Sequence, residues 1–470
     1  MKRLAAALEL TRGTRSRLGK ERALADVIAA MARDAGDEDG IGLATGTRLA
    51  AGRILAVGDG RPLGVGGSLM VEVVIDQTGF DREVLWACSR KTGDLGEAFG
   101  LLVARIPGAE ARPGIELREL AATFDALASS GNRLAKRRRL DALFARATPL
   151  EAKYVSKVMM GSLRTGALEG VLEGAIAKAF DLSPDEVRRA AALVTDPGVL
   201  AVLARDRRLH EARLQLGRPI AFMLATPIET IGSAIDPALH VVEDKIDGVR
   251  AQIHKVGPEV SIFARGLERV TPAFPEVVAS FELMPGSFAL DGELVPFTAG
   301  GRPRPFQALQ ARLRRKEPTP ALVAETPVTF VAYDLLAEND DDLLALPWIE
   351  RRARLEAFAD TRAAHGHFVL NACAPAALGD APLADRIDVE FDAARARGHE
   401  GLVLKRVDAP YDAGRRGQAW IKVKRAFATL DVVITAAEEG HGRRAGVLSD
   451  YTFGVWRKIE GSETGERELV

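Results

Sequence analysis

The sequence predicts a multi-domain chain with an all-α N-terminal part, an α+β middle part built on antiparallel sheets, and the opening of a small β barrel at the C-terminus. Three observations carry this reading. Ala/Leu-rich segments with apolar residues three and four apart fill roughly the first 215 residues. Short β-rich segments bounded by Gly, Pro and Asp take over after Leu216-Gly217-Arg218-Pro219, and the texture changes again after Arg425. At about 150 residues per domain, 470 residues also suit three parts, placed at 1–215, 216–425 and 426–470.

In the first part, Arg22 to Arg33 and Leu117 to Ala128 carry helical spacing. Thr148-Pro149 ahead of Leu150-Glu151 marks one helix start, and Ser183-Pro184-Asp185-Glu186 places an N-cap, a first-turn proline and a capping-box glutamate in order at another. Between Thr148 and Phe180 two helices join at Gly161-Ser162-Leu163-Arg164-Thr165-Gly166, a glycine-flanked turn whose amides and arginine suit a phosphate. From Arg133 to Arg164 nine basic residues (Arg133, Lys136, Arg137, Arg138, Arg139, Arg146, Lys153, Lys157, Arg164) stand against two acidic ones, Asp141 and Glu151. A single basic run is more often a solvated helix face than a binding surface. In the middle part His240 to Glu243, Val249 to His254, Ser287 to Phe297 and Val328 to Leu336 read as strands, and Trp348 to Thr361 and Val389 to Arg397 as helices. At the end, Thr429 to Ala437 and Tyr451 to Arg457 alternate as strands around a loop at Gly440 to Gly446.

Composition excludes several classes. Hydrophobic residues at 47% and charged ones at 27% rule out disorder and collagen. With 64 basic and 65 acidic residues, affinity for a polyanion must come from local clustering. Two cysteines, Cys88 and Cys373, exclude a disulfide framework and a four-cysteine zinc module and suit a reducing, cytoplasmic setting. Met1 to Leu10 is too short and too interrupted by Glu9 for a signal sequence, and Asp196-Pro197 breaks the most apolar stretch well short of about 18 residues, so no membrane anchor is expected.

The most informative stretch is Val241-Val242-Glu243-Asp244-Lys245-Ile246-Asp247-Gly248-Val249-Arg250, a strand ending in Lys-x-Asp-Gly. A lysine that attacks phosphorus at neutral pH must shed its proton, so cations or desolvation are expected nearby. Alone, the pattern reads equally as a surface β-turn. Downstream, however, come Phe263-Ala264-Arg265-Gly266, Leu290-Asp291-Gly292-Glu293-Leu294-Val295, Phe330-Val331-Ala332-Tyr333-Asp334-Leu335-Leu336, Glu400-Gly401-Leu402-Val403-Leu404-Lys405 and Trp420-Ile421-Lys422-Val423-Lys424.

This ordered series closely resembles the nucleotidyltransferase motifs of the covalent lysyl-adenylate superfamily, specifically the ATP-dependent DNA ligases. Ala147 to Tyr154 and Gly161 to Gly166 are similar to the helical DNA-binding domain of the larger members, and Pro219 to Ala225 to their entry into the catalytic domain, so the likeness spans nearly the whole chain. It implies an adenylyltransferase domain with an ATP-grasp-like ligase core and a truncated OB fold after it. Lys245 would be the nucleophile toward ATP. Glu243 would receive the adenine amino group and Tyr333 would stack on the purine. Arg250 and Arg265 match arginines near the ribose and phosphates, where guanidinium forks suit phosphoryl oxygens. Glu293 and Glu400 match carboxylates that contact ribose or Mg²⁺. Lys422 and Lys424 would place two cations on one strand face beside the α-phosphate. The resemblance turns the basic run into a DNA contact, with Arg137, Arg138, Lys153, Lys157 and Arg164 as its candidates. His254, alone in the strand after the nucleophile, is read as structural.

The implied partner is nicked double-stranded DNA, joined by a monomer with no membrane association; protein partners are left unspecified. NAD-dependent ligases resemble a build with a zinc-binding cysteine cluster, which two cysteines cannot make. RNA-capping enzymes and RNA ligases share the core motifs but not the helical leader. The family's last motif is a basic stretch in the OB domain, expected beyond Val470, and about 45 residues after Arg425 are too few for a five-stranded barrel. Either the sequence is a truncated version of a longer one, or the barrel is incomplete and self-adenylation by ATP is weak, with sealing of a pre-adenylated nick retained. A nick-binding protein with impaired self-adenylation is the alternative reading, beside an RNA ligase or capping-type nucleotidyltransferase.

Overall fold

The structure is a computed structural model describing residues 1–34, 36–167, 169–229, 231, 235–298, 301–313, 315, 317–362, 366–376, 382–423, 425, 431–440, 447–458 and 467–470. It separates into two compact units: Met1–Leu55, Arg61–Asp181 and Ala426–Val470 form one, and Ala56–Gly60 with Leu182–Arg425 the other. The first boundary falls at 181/182, earlier than the expected 215, and packing explains why. Ala192 and Leu193 join a core with Ile220, Met223 and Tyr411. Ala221 N donates to Ala192 O at 2.8 Å, and Thr195 Oγ1 donates to Pro219 O at 2.8 Å. The helices Pro184–Leu193 and Pro197–Arg205 therefore belong with the sheets that follow them. No helix among the described residues is long and apolar enough to cross a membrane.

In the helical unit, Leu117–Ala128 is a helix over the expected residues, and Arg17–Ala32 covers the other expected stretch except its last residue, Arg33, which caps the helix. The helix Pro149–Met159 is buried at every residue except Leu150. Its capping box is real: Thr148 accepts from Glu151 N, and Glu151 accepts from Thr148 N at 2.9 Å. The box expected at Ser183 and Glu186 is absent; Ser183 is exposed and makes no side-chain cap bond, so Pro184 at the first helical position marks that start.

In the second unit the strands are β1 (Leu224–Ile228), β2 (His240–Lys245), β3 (Val249–Val256), β4 (Glu259–Ala264), β5 (Phe288–Pro296), β6 (Val328–Glu338), β7 (Asp341–Asp342), β8 (Phe368–Leu370), β9 (Cys373–Pro375), β10 (Gly401–Arg406) and β11 (Arg416–Val423). They form two sheets, ordered β1-β11-β10-β2-β9 and β4-β3-β5-β6-β7, with β8 beside β6. Antiparallel pairing dominates as expected, but β1 runs parallel to β11 and β8 parallel to β6. The first sheet rests Val242, Leu402, Leu404, Ile421 and Val423 on Ile387, Phe391 and Ala394 of the helix Leu383–Ala396. The second packs Ile253, Ile262, Phe288, Leu290 and Phe330 against Phe281, Leu355 and Phe358 of two further helices, Pro275–Glu282 and Trp348–Arg362. Because side chains alternate along a strand, committing these residues to the cores turns their neighbours toward the opposite face.

At the C-terminus β12 (Val432–Glu439), β13 (Leu448–Lys458) and β14 (Arg467–Leu469) form a three-stranded antiparallel sheet. The first of these begins later than the expected Thr429, which lies outside the described residues, as does most of the expected Gly440 to Gly446 loop.

Candidate active site

Alternation collects the catalytic candidates. On β2, Glu243 and Lys245 share a face; β10 pairs Val403 with Glu243 and Gly401 with Lys245, and β11 pairs Lys422 with Val403 and Trp420 with Lys405. One row therefore runs from Glu243 through Val403 to Lys422. The second sheet contributes Arg250 on β3, opposite Glu293 on β5. Tyr333 arrives differently. Asp334 pairs with Asp291 and Ala332 with Gly292, which leaves Tyr333 as the extra residue of a β-bulge, the device that re-aims a side chain out of strict alternation.

These residues line one cavity of about 280 Å³, walled by Leu224, Glu243, Lys245, Arg250, Arg265, Glu293, Tyr333, Asn371, Glu400, Lys405, Trp420 and Lys422 among others. The structure thus brings together Lys245, Glu243, Arg250, Arg265, Glu293, Glu400, Tyr333 and Lys422; Lys424 lies outside the described residues. Gly248 of the Lys-x-Asp-Gly turn is dictated by crowding. A Cβ there would lie 2.5 Å from Leu294 O and 2.8 Å from Glu293 Cγ, so any side chain would push β5 and its glutamate away.

Lys245 Nζ is ion-paired with Glu400, whose own amide donates to Lys245 O at 2.8 Å. Arg250 is held by Asp291 through Nε at 3.2 Å and Nη2 at 2.7 Å, and by Met223 O at 2.7 Å. Asp291 is fully buried and also accepts from Tyr411 Oη at 2.7 Å. The Arg250 guanidinium lies 4.8 Å from the ring centre of Phe222, 5.4 Å from Trp420 and 5.7 Å from Tyr333. Burial pushes the Glu293 carboxyl up to about 8; Arg250 and Lys245 oppose the rise, while Asp291 and Glu400 add to it.

Glu243 is buried, and burial holds its carboxyl above the ordinary carboxylate range, with Lys405 first and then Arg352 and Asn371 opposing the rise. Its Oε1 has no hydrogen-bond partner among the described residues. Lys405, Asn371, Asp291 and Trp420 are the participants that sequence reasoning left without roles. Lys405 and Asp291 lie inside quoted motifs, where β alternation could have placed Lys405 on the cavity face; Asn371 follows β8 and carries no sequence signal. His254 is buried beside Phe263 with its imidazole lowered to about 3 by burial alone, which fits a structural residue.

A divalent ion is tested by the donor set. No group of three or more His, Cys, Asp or Glu side chains suited to a metal exists among the described residues. Four acidic residues line the cavity, Glu243, Asp244, Glu293 and Glu400, of which Glu243 is held by Lys405 and Asp244 by Arg397, leaving Glu293 and Glu400 as the candidate pair. That suits Mg²⁺, which takes one or two carboxylates and completes its shell with phosphate oxygens and water.

The expected DNA contacts divide. Arg138 and Arg164 are exposed, and Arg164 adopts a left-handed φ of 45° in the Gly161 to Gly166 turn. Arg137 is instead ion-paired with Glu72, Asp76 and Asp141. Lys153 and Lys157 are buried, Lys153 with Glu9 and Glu97, Lys157 with Asp94 and Glu97. The helix Pro149–Met159, buried at all but one position, must neutralise its lysines internally. Arg137, on the helix Arg133–Arg146, is engaged by three carboxylates, so these three expected phosphate contacts stand in the structure as internal ion pairs.

Comparison with known proteins agrees with this geometry. The family model described as ATP dependent DNA ligase domain matches residues 222–424, and the one described as DNA ligase N terminus matches residues 1–177. A "Probable DNA ligase" of Koribacter versatilis (strain Ellin345) is 39% identical over 431 residues, covering 88% of this chain and 74% of that protein. A "DNA ligase" of Natronomonas pharaonis is 35% identical over 443 residues, covering 91% of this chain and 78% of that protein. The solved structure named Pmar-Lig_Pre is 15% identical, covers 99% of this chain and 86% of that chain, and has a TM-score of 0.54, a likeness of fold.

Proposed function

Since the chain belongs to the ATP-dependent DNA ligase family, we propose that its cavity performs lysyl-adenylate chemistry on ATP and delivers AMP to a nicked duplex, with Lys245 as the nucleophile. The observation that carries this is the convergence of Lys245, Glu293, Glu400, Arg250 and Lys422 on one cavity from five different strands or turns.

In the first step the Lys245 amine, having lost a proton, attacks the α-phosphorus of ATP; an N–P bond forms as the P–O bond to pyrophosphate breaks. Glu400, already at Nζ, orients the amine. Lys422 faces the charge that builds on the phosphorus oxygens, and Arg250, its fork locked by Asp291, contributes a fixed rather than a mobile charge. Tyr333 and Trp420 supply the apolar walls for the base, with Glu243 at its polar edge. Glu293 and Glu400 would hold Mg²⁺, which neutralises charge on the phosphates when bound. In the second step a 5′-phosphate oxygen attacks the same phosphorus, the N–P bond breaks and the amine recovers its proton. A 3′-hydroxyl then attacks the 5′-phosphate, loses its proton and expels AMP. Positioning and charge neutralisation carry each displacement. Arg138 and Arg164 are the phosphate contacts in the helical unit, and the chain acts as a monomer in the cytoplasm.

A strand-joining assay on a 5′-phosphorylated nicked duplex tests the proposal. Joining is expected with ATP and Mg²⁺ and not with NAD⁺, and Lys422→Met should lower the rate roughly a hundredfold, the scale of losing one charge-stabilising group. Joining supported equally by NAD⁺, or undiminished in Lys422→Met, contradicts it.

A further inference from the structure

The two oxygens of Glu243 are treated unequally. Oε2 accepts from Lys405 Nζ at 2.9 Å and from Asn371 Nδ2 at 3.1 Å, whereas Oε1 has no partner among the described residues. Both donors are fixed in turn. Lys405, 1% exposed, also donates to Tyr333 O at 3.1 Å and stands 4.6 Å from the Tyr333 ring centre and 4.5 Å from that of Trp420. Asn371 also donates to Asp244 O at 3.1 Å, and its backbone carbonyl accepts from Arg352 Nη1 at 2.8 Å.

A buried carboxylate without a counter-charge takes up a proton, and the two forms recognise different ligands. Ionised, it only accepts hydrogen bonds; protonated, it also donates one. Purines differ in the same sense at ring position 6, where adenine carries an amino donor and guanine or hypoxanthine an oxo acceptor.

We propose that Lys405, with Asn371, sets the base selectivity of the nucleotide site. Together they occupy one oxygen of Glu243 and balance its charge, leaving the other as a pure acceptor that takes a 6-amino purine and rejects a 6-oxo purine. This rests on Glu243 meeting the edge of the base. Lys405 is then a specificity-determining residue that acts through Glu243. Without its cation Glu243 takes up a proton and gains a donor for the oxo group.

Equilibrium affinities for ATP and inosine triphosphate, measured without divalent ion so that no adenylate forms, test this in the full chain. Wild type should favour ATP by roughly a hundredfold, and Lys405→Met should shrink that ratio about tenfold or more, by weakening ATP and strengthening inosine triphosphate. Asn371→Leu, which keeps the cation, should shrink it by about threefold and decides the matter if Lys405→Met does not fold. A wild type that binds both nucleotides equally removes the base-edge role of Glu243, and this inference with it. A wild type that discriminates, with the ratio unchanged in the folded variants, removes the inference about Lys405 and Asn371 alone.

Discussion

Arg250 is anchored before any substrate arrives: Asp291 grips its fork, Met223 O takes a third donor, and three aromatic rings flank it. A lysine at that position keeps the charge but cannot make the two-pronged contact. Arg250→Lys should therefore slow lysyl-adenylate formation by about ten- to a hundredfold, as expected when a positioning group is displaced by an ångström. Rapid-quench measurement of the adduct checks this, and an unchanged rate would show that the fork has no part in the step. At this scale most of the cavity was legible, because each candidate sat in a short motif. For Glu243, Lys245 and Lys422 alternation along paired strands predicts a common face, while Arg265 and Glu400 stand just beyond strand ends. Tyr333 reaches the cavity only through a bulge, and Asn371 lies between two short strands, so no spacing rule points to it.

Among the elements, the buried helix Pro149–Met159 shows where local reading fails. Its start was legible from Thr148-Pro149-Leu150-Glu151, but its lysines read as a binding face because spacing along a helix says nothing about what covers it. The helix Leu95–Val103 covers it at close range. A Cβ on Gly100 would lie 2.8 Å from Lys153 Cβ and 3.0 Å from Pro149 O, and one on Gly96 would lie 2.9 Å from Lys153 O. At an exposed helical site Gly→Ala stabilises by about 0.5–1 kcal/mol; here Gly100→Ala should destabilise by about 1–3 kcal/mol through overpacking. Urea unfolding reads the sign directly. The same helix predicts a pH response. Despite the opposing effect of burial, hydrogen bonds from Lys153, Tyr154 and Arg12 hold the Glu9 carboxyl down at about 2. A carboxyl depressed on folding contributes stability that is present above its ordinary range, near 4.5, and lost as pH falls through about 2. Thermal melts between those limits should fall less steeply for Glu9→Gln than for wild type, and parallel slopes would remove this pairing from the acid response.

For the whole molecule, the near-neutral balance of 64 basic against 65 acidic residues means that affinity for DNA must come from a few placed cations. Each phosphate contact contributes about 0.9 to the slope of log affinity against log salt. Arg138→Ala and Arg164→Ala should each flatten that slope by about one on a nicked duplex, whereas Lys157→Met should leave it unaltered and lower the melting temperature. A slope that responds to Lys157 and not to Arg164 would reverse the division drawn between exposed and internal cations. The division into a helical leader and a two-sheet unit was legible from the change in hydrophobic period, but its border was not, because Pro184–Leu193 and Pro197–Arg205 have the sequence character of one unit and the packing partners of the other. What unites the molecule is covalent capture of AMP, and intact-mass spectrometry after incubation with ATP and Mg²⁺ tests it most directly. One added AMP, mapped to Lys245 and absent from Lys245→Ala, is the predicted result; an adduct that persists in Lys245→Ala or maps to another residue would contradict the account.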